Sequence, residues 1–432
     1  MKKMNMVIAQ SGGPSMVINQ SLVGAVLEAR KSAKIGKILG ARHGIVGILG
    51  NDYIDLRKPS VKKLEAIAET PSSALGSCRR KPDAADCKAI FEAFRKRGVG
   101  YFLYIGGNDS ADAARIVAEE AEKAGYPLVV YHIPKTIDND LRSCDHTPGF
   151  GSAARFVASA VRGDDLDNRA LGGVKIDVIM GRDAGFLTAA AALARTRPDD
   201  GPHLIYLPEV PFSETKFIRD VKAAMKKFGR CVCAVSEGIR GKDGVPIGAK
   251  LADGEKDSHG NVQMSGTGAL GDALAKLLKA KAGVKRVRAD TFGYLQRSFP
   301  GIASKVDQRE AFLAGQAAVK AALASVSVSS VTRGPKDACD SKDIRDPKDA
   351  CDAKDIRDPK DAKFPRKGTI AIVRADGKAY RVAFAPVPIR NAAKYTRSVP
   401  REYIAKNGHD VTPAFVDYAK PIVGELPMCE IF

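Results

Sequence analysis

Short apolar runs rich in β-branched residues alternate along this chain with longer, alanine-rich stretches whose apolar positions recur at helical spacing. A run of four to eight apolar residues bounded by glycine reads as a buried strand, and a 3.6-residue period reads as a helix packed on it. Met4–Gln10 is the first such strand, followed by a loop at Gly12-Gly13-Pro14 and a helix over 17–31. Residues 101–105 repeat the strand, with Gly106-Gly107 behind it and a helix over 110–123. Strand 128–133 precedes helix 151–162, strand 174–180 precedes helix 184–195, and strand 231–235 follows helix 214–227. Strand, glycine loop, helix, repeated, predicts an α/β fold of parallel sheet wound on both sides. Ligands in such sheets bind beyond the carboxyl ends of the strands, so the glycine loops mark where chemistry should sit.

A length of 432 residues suggests two or three domains, and 44% apolar residues suffice for a sizeable core. No run of 18 apolar residues occurs, so no membrane-spanning helix is expected. The basic start Met1-Lys2-Lys3 reaches a glycine turn too soon for a secretory signal, which leaves it as the lead-in to a strand. The eight cysteines form no Cys-x-x-Cys, and Cys231 and Cys233 lie two apart on an apolar run. They read as reduced thiols of a cytoplasmic protein. The six histidines show no metal-binding spacing, which disfavours a zinc enzyme. A formal charge of +19 favours anionic partners without choosing among them. With no tryptophan and 6% aromatics, stacking on nucleic acid is disfavoured. Residues 335–346 (PKDACDSKDIRD) and 347–358 (PKDACDAKDIRD) repeat with a period of 12, and a third start follows at Pro359. Two copies and a fragment are too few for a repeat fold, and the segment offers almost nothing to bury. It reads as a solvated insertion.

No P-loop is present: Gly36-Lys37, Gly241-Lys242 and Gly377-Lys378 are followed by Ile, Asp and Ala. Gly266 to Gly271 matches Gly-x-Gly-x-x-Gly, but the preceding residues are polar and turn-rich, so a nicotinamide site is disfavoured. Three other loops look like one phosphate site. Gly12 and Gly13 let backbone approach a phosphate at a helix N-terminus. Gly106-Gly107-Asn108-Asp109-Ser110 does the same, adding an amide and a carboxylate suited to Mg2+. Pro134 to Asp140 packs Lys135, Thr136, Asp138 and Asp140 into seven residues, and an Asp beside a phosphate can act as general base. Each loop alone is more often a cap or turn; three at strand ends shift the balance. Arg79, Arg80, Arg182, Arg288 and Arg297, near glycines, are placed to fork onto phosphoryl oxygens, although any one of them alone is more often a solvated surface arginine.

From Met4 to Gln316 the chain resembles the phosphofructokinases. The resemblance is carried by the Gly12-Gly13 loop, Leu75 to Arg79, Gly107 to Ser110, Pro134 to Asp140, Met180 to Phe186, Ser236-Glu237-Gly238 and Arg288 to Arg297. It implies two similar doubly wound lobes with the active site in the cleft between them, approximately 1–145 and 146–330, the chain crossing back near 288–300. The insertion 331–365 and the segment 366–432 lie outside it. It further implies Mg2+-dependent phosphorylation of the 1-hydroxyl of fructose 6-phosphate. By motif match Asp138 is the general base, with Thr136, Ile137 and Asp140 beside it, and Arg182 stabilises the transferring phosphoryl group. Met180 and Gly181 line the sugar and Glu237 binds its hydroxyls. Tyr294 and Arg297 hold the 6-phosphate, with Leu295 and Gln296 counted among the substrate-binding residues between them. Arg288 reaches in from a neighbouring subunit of a homo-oligomer. Gly12, Gly13 and Arg79 contact the donor. Asn108 stands where the family has its metal-site carboxylate.

The donor follows from two positions that are glycine in ATP-using members of the family, Asp109 and Lys135. A carboxylate where the α-phosphate of ATP would lie, ~4 Å away at an effective dielectric of ~20, repels it by ~4 kcal/mol, about a thousandfold in affinity. The lysine supplies positive charge where a pyrophosphate leaving group needs it. The chain therefore looks like the pyrophosphate-dependent type, reversible in direction. An ATP-dependent phosphofructokinase, a dehydrogenase and a non-catalytic phosphometabolite-binding protein are the competing readings. Intact Asp138, Arg182 and Lys135 speak against the last.

Overall fold

The structure, a computed structural model, describes residues 3–248, 268–328, 365–375, 377 and 379–431. The aspartate–lysine repeat and the residues before the Gly266–Gly271 glycines lie outside the described residues. Eleven strands are present among the described residues: β1 (Met4–Gln10), β2 (Ile35–Ala41), β3 (Tyr53–Asp55), β4 (Val99–Gly106), β5 (Val129–Pro134), β6 (Gly173–Ile179), β7 (Leu204–Tyr206), β8 (Arg230–Ser236), β9 (Val287–Thr291), β10 (Lys367–Arg374) and β11 (Val382–Pro388). The chain forms two compact units. One comprises Met1–Thr136, Leu141–Pro148 and Gln308–Thr396; the other comprises Ile137–Asp140, Gly149–Asp307 and Arg397–Phe432.

The first unit is built on a sheet ordered β11-β10-β5-β4-β1-β2-β3. Its five inner strands are parallel, and β3 and β11 close the edges antiparallel. All eight residues of β4 are buried, the expected pattern for a central parallel strand covered on both faces. Alternation decides which face each side chain serves. Tyr101, Leu103 and Ile105 join a core with the Ile18–Lys31 and Lys305–Val328 helices, while Phe102 and Tyr104 join one with the Ala84–Lys96 and Asn108–Lys123 helices. The first pair of helices meets at glycines. A Cβ at Gly24 would stand 2.1 Å from the Phe312 carbonyl oxygen, and one at Gly315 would stand 2.1 Å from that of Ser21. No side chain fits at either crossing point.

The second unit carries an all-parallel sheet ordered β7-β8-β6-β9. Its apolar core is shared with the Glu214–Phe228 and Ala269–Ala282 helices. The Glu214–Phe228 helix starts at Ser213, whose hydroxyl accepts the Lys216 amide, and ends at Gly229 with φ 72°. The expected helix over 184–195 is instead a short α-helix, Phe186–Ala190, running into a 3-10 turn, Ala191–Ala194. Pro198 disfavours helical backbone just beyond it. The chain after 366 supplies β10 and β11 to the first unit and, from Arg397, the Pro413–Val423 helix to the second.

Among the described residues no helix is long and apolar enough to cross a membrane. Six described cysteines are free thiols, and the sulfurs of Cys231 and Cys233 lie 3.6 Å apart on β8.

Candidate active site

In the first unit β1 lies between β2 and β4, so the chain leaves the sheet in opposite directions on either side of it. The carboxyl ends of β1 and β4 flank this switch point, where α/β sheets leave a crevice. Three loops converge there. Gly12 (φ 75°) donates its N–H to the Cys78 carbonyl at 3.0 Å, and the Ser77 hydroxyl donates to the Gly12 carbonyl at 2.6 Å. The Ser110 hydroxyl meets that of Ser11 at 2.9 Å, joining the loop after β4 to the loop after β1. From the end of β5, Lys135 sends its ammonium to the Gly13 carbonyl, and its own N–H donates to Gly106 at 2.9 Å. Lys135 is only 2% exposed. Thr136 follows directly, its N–H donating to Pro148 and its carbonyl accepting the Thr147 hydroxyl.

Around this floor stand the exposed groups. Asp109 lies exposed in the first turn of the Asn108–Lys123 helix, where its carboxylate sits favourably on the helix dipole. Asn108 donates its side-chain NH2 to the carbonyls of Ala392 at 2.9 Å and Tyr395 at 3.1 Å, which leaves its Oδ1 as the acceptor. Arg79 is exposed, whereas Arg80 is forked onto Asp86 at 2.9 and 2.6 Å and so belongs to the entrance of the Ala84–Lys96 helix. Beneath the floor lies His132, fully buried, its Nε2 2.8 Å from the Gly106 carbonyl and its Nδ1 2.8 Å from the Thr369 hydroxyl. Burial pushes its pKa down to about 4, so the ring is neutral and braces the β4 turn without adding charge.

In the second unit the turn 137–140 holds Asp138 and Asp140 partly exposed between buried Ile137 and Asn139. Asn139 adopts φ 60°, and its NH2 donates to the Tyr418 hydroxyl at 2.7 Å. The carbonyls of Asn139 and Asp140 accept, respectively, the Nε and the backbone N–H of Arg397, both at 2.8 Å. At the end of β6, Gly181 has φ 132°, and a Cβ there would stand 2.5 Å from the Ala184 carbonyl oxygen. Only glycine permits this turn, and the turn is what brings Arg182 off the strand end. Three side chains clamp it. Ser236 donates to the Gly181 carbonyl at 2.7 Å, Arg240 donates to the Arg182 carbonyl at 3.0 Å and to Asp183, and the Glu209 carboxylate accepts the Gly185 N–H at 2.9 Å. Burial raises the Glu209 pKa.

Glu237 follows directly on β8, 6% exposed, its N–H donating to the Ile179 carbonyl. After β9, Tyr294 and Leu295 are exposed, and the Arg297 guanidinium lies 4.3 Å from the Tyr294 ring centroid. Gln296 differs from its neighbours. It is fully buried, its carbonyl accepting the Met180 N–H at 3.3 Å and its NH2 donating to Gly293 at 2.8 Å, so its side chain is committed to joining the β6 and β9 loops. Arg288 is exposed on β9.

The family described as Phosphofructokinase matches residues 5–322. The chain is 50% identical over 425 residues to pyrophosphate–fructose 6-phosphate 1-phosphotransferase of Rhodospirillum rubrum, covering 98% of this chain and 95% of that one. It is 36% identical over 434 residues to the protein of the same name from Xanthomonas campestris, covering 98% and 93%. The chain belongs to the phosphofructokinase family. A crystal structure of a pyrophosphate-dependent phosphofructokinase from Nitrosospira multiformis superposes with a TM-score of 0.80 at 30% identity, covering 99% of this chain and 94% of that one.

Within this phosphofructokinase the structure gathers Gly12, Gly13, Arg79, Asn108, Asp109, Lys135 and Thr136 in the first unit. Ile137, Asp138, Asp140, Met180, Gly181, Arg182, Glu237, Arg288 and Tyr294 to Arg297 fall in the second. His132, Arg240, Glu209 and the tail residues Arg397 and Tyr418 belong to no motif legible in the sequence. His132 had one signal, a lone imidazole inside an apolar strand. The tail residues had none, because contacts more than 250 positions apart leave no local pattern.

Proposed function

We propose that this enzyme transfers a phosphoryl group from pyrophosphate to the 1-hydroxyl of fructose 6-phosphate, giving fructose 1,6-bisphosphate and phosphate, and that it runs in both directions. The observation that carries the donor assignment is the pairing of a buried Lys135 ammonium at the Gly13 carbonyl with an exposed Asp109 carboxylate at the adjoining helix start. The ammonium offers charge to a compact phosphate leaving group, and the carboxylate opposes a further phosphate beyond it. Asp138 takes the proton of the attacking hydroxyl, and Arg182 spreads over the equatorial oxygens of the transferring group. Thr136 and the Gly12 and Gly13 backbone orient the donor together with Arg79. Glu237, Met180 and Gly181 bind the sugar, and Tyr294 and Arg297 bind the 6-phosphate.

On the 137–140 turn the partly exposed Asp140 carboxylate suits a hard cation such as Mg2+. In the first unit Asn108 has its Oδ1 left to offer a cation. Bound Mg2+ would neutralise developing charge on the phosphoryl oxygens. Arg288, exposed on β9, would serve the 6-phosphate of a neighbouring copy in a homo-oligomer, and the free thiols accord with a cytoplasmic location. Rates with pyrophosphate and with ATP, measured side by side on fructose 6-phosphate, test the reading. Pyrophosphate should be used and ATP scarcely. Equal or faster rates with ATP would replace the donor assignment.

A further inference from the structure

On the second unit's sheet three aspartates meet. Asp177 on β6 and Asp290 on β9 are register partners in the parallel ladder, and Asp164 comes from the Phe150–Leu171 helix. One carboxylate oxygen from each lies within 4.8 Å of the others. Lys175, two residues before Asp177, places its ammonium 3.3 Å from Asp164 and 2.5 Å from Asp290. That satisfies two of the three. Asp177 is fully buried, and neither of its carboxylate oxygens has a hydrogen-bond partner.

A carboxylate removed from water without a partner is costly and requires either a proton or a cation. Burial and the neighbouring Asp164 both raise its proton affinity, as they would raise its affinity for a metal. With all three aspartates ionised and one lysine charged, the cluster carries −3 + 1 = −2. A divalent cation balances that. The Asp290 side chain is 55% exposed and that of Asp164 is 24% exposed, so the cluster opens to water on one side, which would complete a coordination shell. Oxygen ligands without His or Cys select a hard ion: Mg2+, Mn2+ or Ca2+.

We propose that Asp164, Asp177 and Asp290 form a divalent-cation site, separate from the transfer chemistry, in which the Lys175 ammonium is the competing occupant. An ion there ties β6, β9 and the Phe150–Leu171 helix together just before Met180–Arg182 and Tyr294–Arg297 leave the sheet. It acts as a brace for the sugar-phosphate loops.

The test uses the full chain, stripped with chelator and free of phosphate ligands, titrated with Mn2+ while free Mn2+ is read by electron paramagnetic resonance. Wild type should bind one Mn2+ that Asp177→Asn weakens by at least about tenfold, since one charged ligand is lost. Lys175→Gln should tighten it by about tenfold, because the competitor is gone. Mn2+ held elsewhere, for instance at Asp140, would be unmoved by either change. Should Asp177→Asn fail to fold, Asp290→Asn on the exposed side replaces it. Binding unchanged in the aspartate variants overturns the proposal. So does the absence of Mn2+ binding in both wild type and Lys175→Gln, which would leave a proton shared between Asp164 and Asp177 as the resolution.

Discussion

The strand-end loops proposed to hold phosphate are built by different means in the two units. In the first, the floor is backbone: Gly12, Gly13, Gly106 and Pro148 exchange hydrogen bonds with Cys78, Ser77, Lys135 and Thr136, and one lysine is buried beneath. In the second, side chains project from strand ends and are held by other side chains: Ser236, Arg240 and Glu209 about the Arg182 turn, Gln296 between β6 and β9, Tyr418 and Arg397 behind Asp138. A backbone cradle is specified by local glycine and cap residues and shapes itself to any compact phosphate. A side-chain site needs distant segments to set its geometry.

The comparison is broken most directly at Asp138. Asp138→Asn should cut turnover by about 10²–10⁴-fold while the KM for fructose 6-phosphate stays close to wild type, because a positioned base is lost and the fold is not. Turnover above half of wild type would mean that another group takes the proton.

The backbone cradle should fail differently. Asp109→Gly should admit ATP, and Asp109→Gly with Lys135→Gly should shift preference towards ATP at a large loss of pyrophosphate rate, up to about a thousandfold. The two effects should be non-additive, since both side chains act on one phosphate. Steady-state rates of the four variants with both donors decide this. If Asp109→Gly still excludes ATP, the gate lies in the Gly13-Pro14-Ser15 loop.

The side-chain clamp should show in Arg240→Ala. With the Arg182 carbonyl and Asp183 released, turnover should fall about 10–100-fold with little change in melting temperature, a misplacement of Arg182 rather than a loss of it. Arg240→Lys should recover part of the rate. An equal fall in stability would make Arg240 a structural residue only.

Two buried histidines of the first unit respond to pH in opposite senses. His132 in the first unit has its pKa lowered by burial to about 4 in the folded protein, so the unfolded chain binds a proton first as pH falls. Its contribution is present above the unfolded value near 6.5 and is lost progressively towards pH 4, up to about 3 kcal/mol. His146 in the same unit runs the other way. Burial lowers its pKa, but hydrogen bonds to Asp145 and Glu310 outweigh that and leave it raised, so its contribution is full below 6.5 and fades as pH rises. Urea unfolding from pH 7 to 4.5 should show the acid-side loss, and His132→Gln should flatten it.

What the chain's own order of residues determined was local and periodic. The strands at β1, β4, β5, β6 and β8, the helices after β1, β4 and β5 and the helix before β8 are legible because burial on both faces demands continuous apolar runs and the helical period is short. The glycine loops are legible because only certain residues permit those turns. The chain after 366 was not. Strands β10 and β11 complete the first unit's sheet, and Arg397 and Tyr418 fix the turn that carries Asp138 from more than 250 residues away. Neither Gln296, an amide among exposed residues, nor Asp177, a carboxylate in a buried strand, declares its surroundings in sequence. Register between strands and the reach of side chains across them are settled only when the whole sheet packs, because the free energy that selects them comes from contacts no short segment contains.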